Sequence, residues 1–199
     1  MKYTGLIAAL LAYSVAAGPV ESSTQGPPGY GVEDLEWSVR LTESDDPINV
    51  KGTVEDVVAE LSKQNPSAEA QIRAQGKAKQ SLMKRADPTG YYCGEPFTPV
   101  ASTSIGRGIE YLQGVPGQPV NGPGPGNCGR VSCSYNAAIW WCNDNTESKT
   151  LDSFAEIANA ADKLLHWCYH WVEGELGSSV GGQAFYADNW NVIVRKNDC

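Results

Sequence analysis

The placement of cysteines constrains this 199-residue chain more than any other feature of its sequence. There are six cysteines, an even number, and none occurs before residue 93. They are Cys93, Cys128, Cys133, Cys142, Cys168 and Cys199. Because no C-x-x-C spacing occurs, a structural zinc site is disfavoured, and the set predicts three disulfide bonds formed in an oxidising compartment.

The pairing of these cysteines is less constrained, because six thiols can pair in many ways. Cys133 and Cys142 fall in what reads as one strand at an odd spacing, so their side chains should point to opposite faces and not pair. A bond between Cys133 and Cys168 would join a helix to the sheet. A bond from Cys199 would fasten a chain end that otherwise frays.

The N-terminus has the pattern of a secretory signal peptide. Lys2 precedes an apolar run at 6–17, and small residues lead to a predicted cleavage after Ala17. The alternative is a buried N-terminal helix. This run is too short to cross a bilayer and no later run is apolar for long enough, so we expect no membrane span. The sequence therefore predicts a secreted protein.

A dibasic pair, Lys84-Arg85, lies between two parts of different composition. Residues 18–85 are polar and lack cysteine, whereas residues 86–199 hold all six cysteines and five of the six tryptophans. Processing proteases of the secretory pathway cut after such pairs. We therefore predict a signal peptide at 1–17, a pro-segment at 18–85 and a mature cysteine-rich domain at 86–199. The alternative is an ordinary pair of surface residues.

The predicted mature domain is acidic, with twelve Asp and Glu residues against six Lys and Arg residues. The whole chain is also acidic, with a formal net charge of −8. Such a charge gives no electrostatic footprint for nucleic acid or for an anionic membrane surface, so we expect neither partner.

Helical periodicity is clear in two places. At 53–64, apolar residues recur on one face and Thr53 with Asp56 has capping-box spacing. This helix either docks on the second half of the chain or is only nascent, since residues 18–85 offer it little to bury against. At 151–171, Ser153 and Glu156 have the same capping spacing. The apolar stripe there consists of Leu151, Phe154, Ile157, Ala158, Ala161, Leu164, Leu165 and Cys168.

Strand patterns occupy much of the remaining mature domain. Residues 130–144 alternate as one strand, and residues 183–199 predict a strand or a hairpin with its bend at Asp188-Asn189. The Gly- and Pro-rich segment 96–127 predicts mostly loop, with a short edge strand near 109–112. Together these elements predict an α+β fold, in which a small antiparallel sheet packs on one long helix and three disulfides hold it together.

Aromatic residues suggest a binding surface. Trp140 and Trp141 are adjacent in a predicted strand, so their side chains point to opposite faces. Trp167 and Trp171 likewise share a helix with Tyr169, and the three cannot all lie on one helical face. Some of these rings should be exposed and could anchor a protein or a glycan. The alternative is that the 96–127 segment covers them.

The only two histidines, His166 and His170, lie four residues apart in the predicted helix. Such a pair can hold a metal ion or, with a carboxylate, can serve a small hydrolase of the ribonuclease type. Arg130 and Arg195 could assist, but the sequence does not tie either to the histidines. No nucleophile motif such as G-x-S-x-G occurs. We therefore predict no catalytic residue, no metal and no cofactor, and keep the hydrolase as the alternative function.

Three segments carry a resemblance to known proteins: CGRVSCSYNAAIWWCNDN (128–145), the helix to Cys168, and GGQAFYADNWNVIVRKNDC (181–199). The chain resembles small cysteine-rich secreted proteins of filamentous fungi, many of which are effector candidates. Its domain plan also looks like that of the α/β killer toxins of smut fungi. The resemblance implies a secreted effector or toxin-like virulence protein that binds a host or competitor molecule, and it assigns no active-site residue. We expect the protein to be a monomer. A structural protein of the cell wall is a further alternative for its function.

Overall fold

The computed structural model describes residues 26–42, 44–80, 87–172 and 177–199. The predicted signal peptide with its cleavage after Ala17 lies outside the described residues, and so does the Lys84-Arg85 pair. The side chain of Trp171 is also outside them. The predictions that concern these residues therefore stay predictions from sequence.

The described residues form four α-helices and thirteen β-strands. The helices are α1 (Val54–Gln64), α2 (Ala68–Gln80), α3 (Ser102–Gly114) and α4 (Phe154–Trp167). The strands are β1 (Gly31–Glu33), β2 (Glu36–Val39), β3 (Ile48–Lys51), β4 (Gly90–Cys93), β5 (Val100–Ala101), β6 (Val120–Asn121), β7 (Asn127–Ser134), β8 (Ala137–Asn143), β9 (Lys149–Thr150), β10 (Tyr169–Val172), β11 (Gly177–Val180), β12 (Gly182–Tyr186) and β13 (Trp190–Lys196).

The main sheet has six strands in the order β1-β7-β8-β13-β12-β4. Neighbouring strands are antiparallel except β1 and β7, which are parallel, so the sheet is mixed. The other strands form a three-stranded sheet, β10-β11-β5, and the pairs β2-β3 and β6-β9. The predicted α+β class is confirmed. The arrangement differs from one long helix on an antiparallel sheet, because both α3 and α4 contact the main sheet.

Apolar side chains cover both faces of this sheet. One face carries Ile139, Trp141 and Val192 and packs against α3 and α4 in the larger hydrophobic cluster. The opposite face carries a smaller cluster around Trp140 and Ile193. Successive residues of the central strands are therefore both buried, as in sheets that are covered on two sides.

The two predicted helices form where the sequence places their caps. In α1, the Asp56 carboxylate accepts a hydrogen bond from the Thr53 backbone N–H at 2.8 Å. In α4, the Ser153 hydroxyl accepts a hydrogen bond from the Ala155 N–H at 3.0 Å, and Glu156 completes the capping box. Both predicted helices are confirmed, but α4 ends at Trp167 rather than continuing to residue 171. The chain beyond it pairs as β10 with β11.

The predicted loop at 96–127 contains a helix, α3, and the short strand expected near 109–112 is wrong. Ile105, Ile109 and Leu112 are spaced i, i+4 and i+7 along α3, and all three are buried in the larger cluster. Burial of this apolar stripe outweighs the low helix propensity of the glycines in the segment.

The predicted single strand at 130–144 is a hairpin of β7 and β8. Tyr135 and Asn136 form its turn, and both have left-handed backbone conformations, with φ of 51° and 57°. Left-handed geometry at both central residues is the type I′ turn that suits a two-residue hairpin. A β-bulge between Arg130 and Ser132 shifts the alternation of β7.

Of the strand or hairpin predicted at residues 183–199, the hairpin is the one observed. Strands β12 and β13 pair antiparallel from Gly182↔Val194 to Tyr186↔Trp190. The bend falls at residues 187–189, and Asn189 there has a φ of 57°. Asn tolerates this left-handed conformation better than most residues, which explains why the Asp-Asn pair marks the turn.

Three disulfides link all six cysteines, which confirms that part of the prediction. The pairs are Cys93–Cys168, Cys128–Cys142 and Cys133–Cys199. Cys133 and Cys142 do not pair, and the chain end is fastened, as expected. The suggested bond between Cys133 and Cys168 is wrong, because the bulge in β7 places Cys133 in the smaller cluster on the far side of the sheet from α4.

The predicted pro-segment packs into the same core as the cysteine-rich part. Strand β1 pairs with β7, and α2 packs against α3. The buried face of α1 belongs to the larger hydrophobic cluster. Of the two expectations for α1, docking on the second half of the chain is therefore the one observed.

Candidate binding surface

The structure changes the predicted set of exposed tryptophans. Trp140 and Trp141 are fully buried on opposite faces of the sheet, so neither contributes to a surface. Trp140 lies in the smaller cluster with Phe97, and Trp141 lies in the larger one beneath the helices. Trp167 is 41% exposed at the end of α4 and remains a candidate binding residue.

Trp167 forms an exposed aromatic pair with Tyr91 of β4. Their ring centroids are 4.6 Å apart and the rings are tilted by 33°. Tyr91 is 53% exposed, so both rings are partly open to solvent. Lys163, one turn before Trp167 in α4, places its ammonium group 5.3 Å from the centre of the indole ring. We call Tyr91, Lys163 and Trp167 the aromatic surface.

Several contacts fix the aromatic surface in position. The Cys93–Cys168 disulfide joins β4 to the C-cap of α4, two residues after Tyr91 and one residue after Trp167. Strand β4 also pairs with β12, which holds Tyr91 opposite Ala184. A disulfide thus joins the strand and the helix that carry the two rings. Because the rings are already held in position, little conformational entropy is lost when a partner binds.

A salt bridge adds charge beside the rings. The Lys163 ammonium pairs with the carboxylate of Asp87 and also lies over the indole ring of Trp167. Tyr169, at the start of β10, is also exposed. Large aromatic rings beside a charged rim are typical of contact surfaces for proteins and glycans, because each ring offers apolar area at a small entropic cost.

The two histidines do not form the pair that the sequence suggested. His166 lies in the last turn of α4, whereas His170 lies in β10 after the helix has ended. The Nδ1 atom of His166 lies 2.7 Å from the main-chain oxygen of Asp162. Within the described residues, no three His, Cys, Asp or Glu side chains come together as a metal-binding group.

The two arginines considered for catalysis make structural contacts. The Arg130 guanidinium donates to the main-chain oxygen of Asp198 at 2.8 Å and lies over the ring of Trp140. Arg195 donates to the main-chain oxygen of Gly26 at 2.7 Å, and burial lowers the pKa of its guanidinium. Both arginines therefore hold chain segments in place, Arg130 the segment at Asp198 and Arg195 the segment at Gly26.

Sequence reasoning missed Tyr91. A signal was present in the fragment GYYC, because two adjacent tyrosines in a strand must point to opposite faces and the following cysteine fastens them. Tyr92 is as exposed as Tyr91, at 54%, but it projects from the opposite face of the sheet.

No family model matches this chain, and no curated protein or solved structure is significantly similar to it. The resemblance to secreted fungal proteins therefore stays a prediction from the residues. Among the residues that the structure describes, no helix combines the length and apolarity that crossing a membrane requires.

Proposed function

We propose that this protein is a secreted, disulfide-stabilised fungal effector or toxin-like virulence protein, which acts by binding a protein or glycan of a host or competitor organism. The observation that carries the proposal is the exposed Tyr91–Trp167 pair, which a disulfide fixes at the edge of the main sheet. The three disulfides and the N-terminal signal pattern support secretion. The resemblance of residues 128–199 supports a fungal origin.

Maturation by cleavage after Arg85 is part of this proposal. It is supported by the dibasic pair and by the change in composition at that point. Asp87, the first described residue after the pair, is held beside Trp167 through its contact with Lys163. The new N-terminal residue, Ala86, would then directly precede a residue that is anchored at the aromatic surface.

Binding explains the arrangement better than hydrolysis does. A hydrolase of the ribonuclease type needs a histidine and a carboxylate that converge on one substrate position. Here His166 contacts the main chain of its own helix, and His170 belongs to a strand. The aromatic surface instead offers apolar area and charge in fixed positions, which recognition requires.

The proposal is tested by measuring how labelled protein binds to intact plant and fungal cells and to chitin, β-glucan and cellulose. Trp167→Ala and Tyr91→Ala should each lower the affinity about tenfold or more, because truncating a central aromatic anchor typically costs about 2 kcal/mol. Cosedimentation at several protein concentrations gives the affinity.

Tyr92→Ala is the matched control, since it removes an equally exposed ring from the same strand on the opposite face. It should bind like the wild-type protein. Equal binding by all three variants would exclude the aromatic surface. RNA hydrolysis by the wild-type protein that is lost in the His166→Ala and His170→Ala double variant would favour the hydrolase alternative instead.

A further inference from the structure

Residues 26–80 and residues 87–199 differ in composition but share one hydrophobic cluster. The N-terminal part contributes Leu35, Trp37, Val39, Val54, Val57, Val58, Leu61, Ala68 and Ile72. Trp37 stacks on Phe154 of α4 with ring centroids 4.2 Å apart, and both rings are buried. Separating the two parts would therefore expose large apolar side chains on both of them.

Polar contacts at the same interface are specific. The Glu33 carboxylate accepts hydrogen bonds from the Gly122 N–H at 2.5 Å and from the Asn127 amide at 2.7 Å. Glu55 of α1 accepts hydrogen bonds from the Ser132 hydroxyl at 2.6 Å and the Cys133 N–H at 3.0 Å. Separating the two parts would leave these partly buried donors and acceptors without their hydrogen-bond partners, which is unfavourable.

The start of the described chain is held on the other face of the sheet. The Tyr30 hydroxyl accepts hydrogen bonds from the side-chain amides of Gln183 at 2.9 Å and Asn191 at 3.2 Å. Burial and the nearby carboxylate of Asp144 raise the pKa of Tyr30, so its hydroxyl stays protonated. The N-terminal part therefore contacts both faces of the main sheet.

Helices α2 and α3 approach so closely that glycine is required at their contact. A Cβ atom added at Gly114 would overlap the carbonyl oxygen of Ile72, and one added at Gly76 would lie 2.8 Å from the carbonyl oxygen of Glu110. Gly106, on the same helix as Gly114, has no described atom within 4 Å of such a Cβ. The fit between α2 and α3 is thus that of a packed protein interior.

We propose that residues 26–80 stay bound to residues 87–199 after cleavage, so that the mature protein is a non-covalent complex of two chains. Cleavage itself belongs to the proposed function, whereas retention of the cut segment depends only on the contacts described above. No disulfide can hold the segment, because no cysteine precedes Cys93. The shared apolar core has the character of a permanent interface, which resembles a domain core divided in two.

The test uses a protein in which a recognition sequence for a site-specific protease replaces residues 81–86. After complete cutting, the two chains should elute together from a size-exclusion column, as expected of a permanent interface. Native mass spectrometry should show one copy of each chain. Elution of either chain by itself, whether folded or aggregated, would overturn the proposal.

Two glycine variants of the cut protein show whether the α2–α3 contact holds the chains together. Gly114→Ala should weaken the association about tenfold or more, because its Cβ would overlap the main chain of the partner segment. Gly106→Ala should associate like the wild-type protein. Equal dissociation constants for the two variants would contradict this interface. The Trp167→Ala variant should keep the two chains together, so failure of the binding proposal is distinguishable from failure of this one.

Discussion

Tyr91 and Trp167 lie on different elements, and one covalent bond joins those elements beside them. The Cys93–Cys168 disulfide closes a segment of 75 residues, whereas Cys128–Cys142 closes only 14. Replacing Cys93 and Cys168 together with alanine should lower the free energy of unfolding by about 2–5 kcal/mol. It should also weaken binding to the target of the aromatic surface, because the rings lose their fixed separation.

Denaturant unfolding and the cosedimentation assay check this prediction. The Cys128→Ala and Cys142→Ala double variant is the control, since its disulfide lies in the smaller cluster, away from the aromatic surface. That variant should be less stable than the wild-type protein. Under conditions in which it is folded, it should bind the target with wild-type affinity. The account would be contradicted if both double variants, compared while folded, bound with wild-type affinity.

At the scale of single residues, the sequence predicted the presence of three disulfides but not which aromatic rings are exposed. Adjacent strand residues point to opposite faces, so the sequence predicts either that one of Trp140 and Trp141 faces outward or that another segment covers it. Both are buried because the sheet is covered on both faces. Long-range packing decides that coverage, and no local pattern in residues 130–144 reports it.

Among the helices, the α2–α3 contact should respond to acid. Hydrogen bonds from the Tyr111 hydroxyl at 2.8 Å and from Arg73 at 3.1 Å lower the pKa of Glu69 below its ordinary value of 4.5. A carboxylate with a lowered folded-state pKa stabilises the fold fully above its ordinary pKa, and the stabilisation is lost as the pH falls through the lowered value. The Tyr111 bond, the largest cause of the lowered pKa, crosses between the two cut chains, whereas the Arg73 bond lies within α2. Association of the cut chains should therefore weaken as the pH falls below about 4.5.

The variant Glu69→Gln isolates this effect, because it removes the titrating group and keeps its size. Its association should change less between about pH 5 and pH 3 than that of the wild-type protein. Glu60→Gln is the control, since the Glu60 carboxylate pairs with Lys63 within α1. Fluorescence anisotropy across this pH range gives the dissociation constants of the wild-type protein and of both variants. Identical pH profiles for wild type and Glu69→Gln would contradict the assignment to Glu69.

Capped, strongly periodic elements were predictable, and elements with ambiguous local signals were not. Helices α1 and α4 combine an apolar stripe with a capping box, so local and tertiary preferences agree. Helix α3 has the stripe but not the cap, and its glycines favoured a loop. The sequence of the β7–β8 hairpin predicts one strand, because its turn, Tyr135-Asn136, lacks glycine and leaves the alternation uninterrupted.

For the whole molecule, composition divides the chain into two parts but the core does not. Composition predicts that the polar, cysteine-free part is a pro-segment, and periodicity predicts one helix in it without indicating what that helix packs against. In the structure it supplies an edge strand, two helices and buried side chains such as Trp37 and Ile72. The sequence could not show this, because residues 26–80 contact α3, α4 and β7, which are distant along the chain. Such contacts depend on how the folded elements fit together and leave no local pattern.

The central claim is that the secreted protein works as one folded unit built from both parts of the chain. Mass spectrometry of the protein secreted from a fungal host, measured under native and then denaturing conditions, tests it most directly. We expect a native complex of two chains that separates on denaturation. One chain should begin at Gly18 and end at Arg85, and the other should begin at Ala86 and lack the hydrogens of its six oxidised cysteines. A native species that contains residues 86–199 alone would contradict the account.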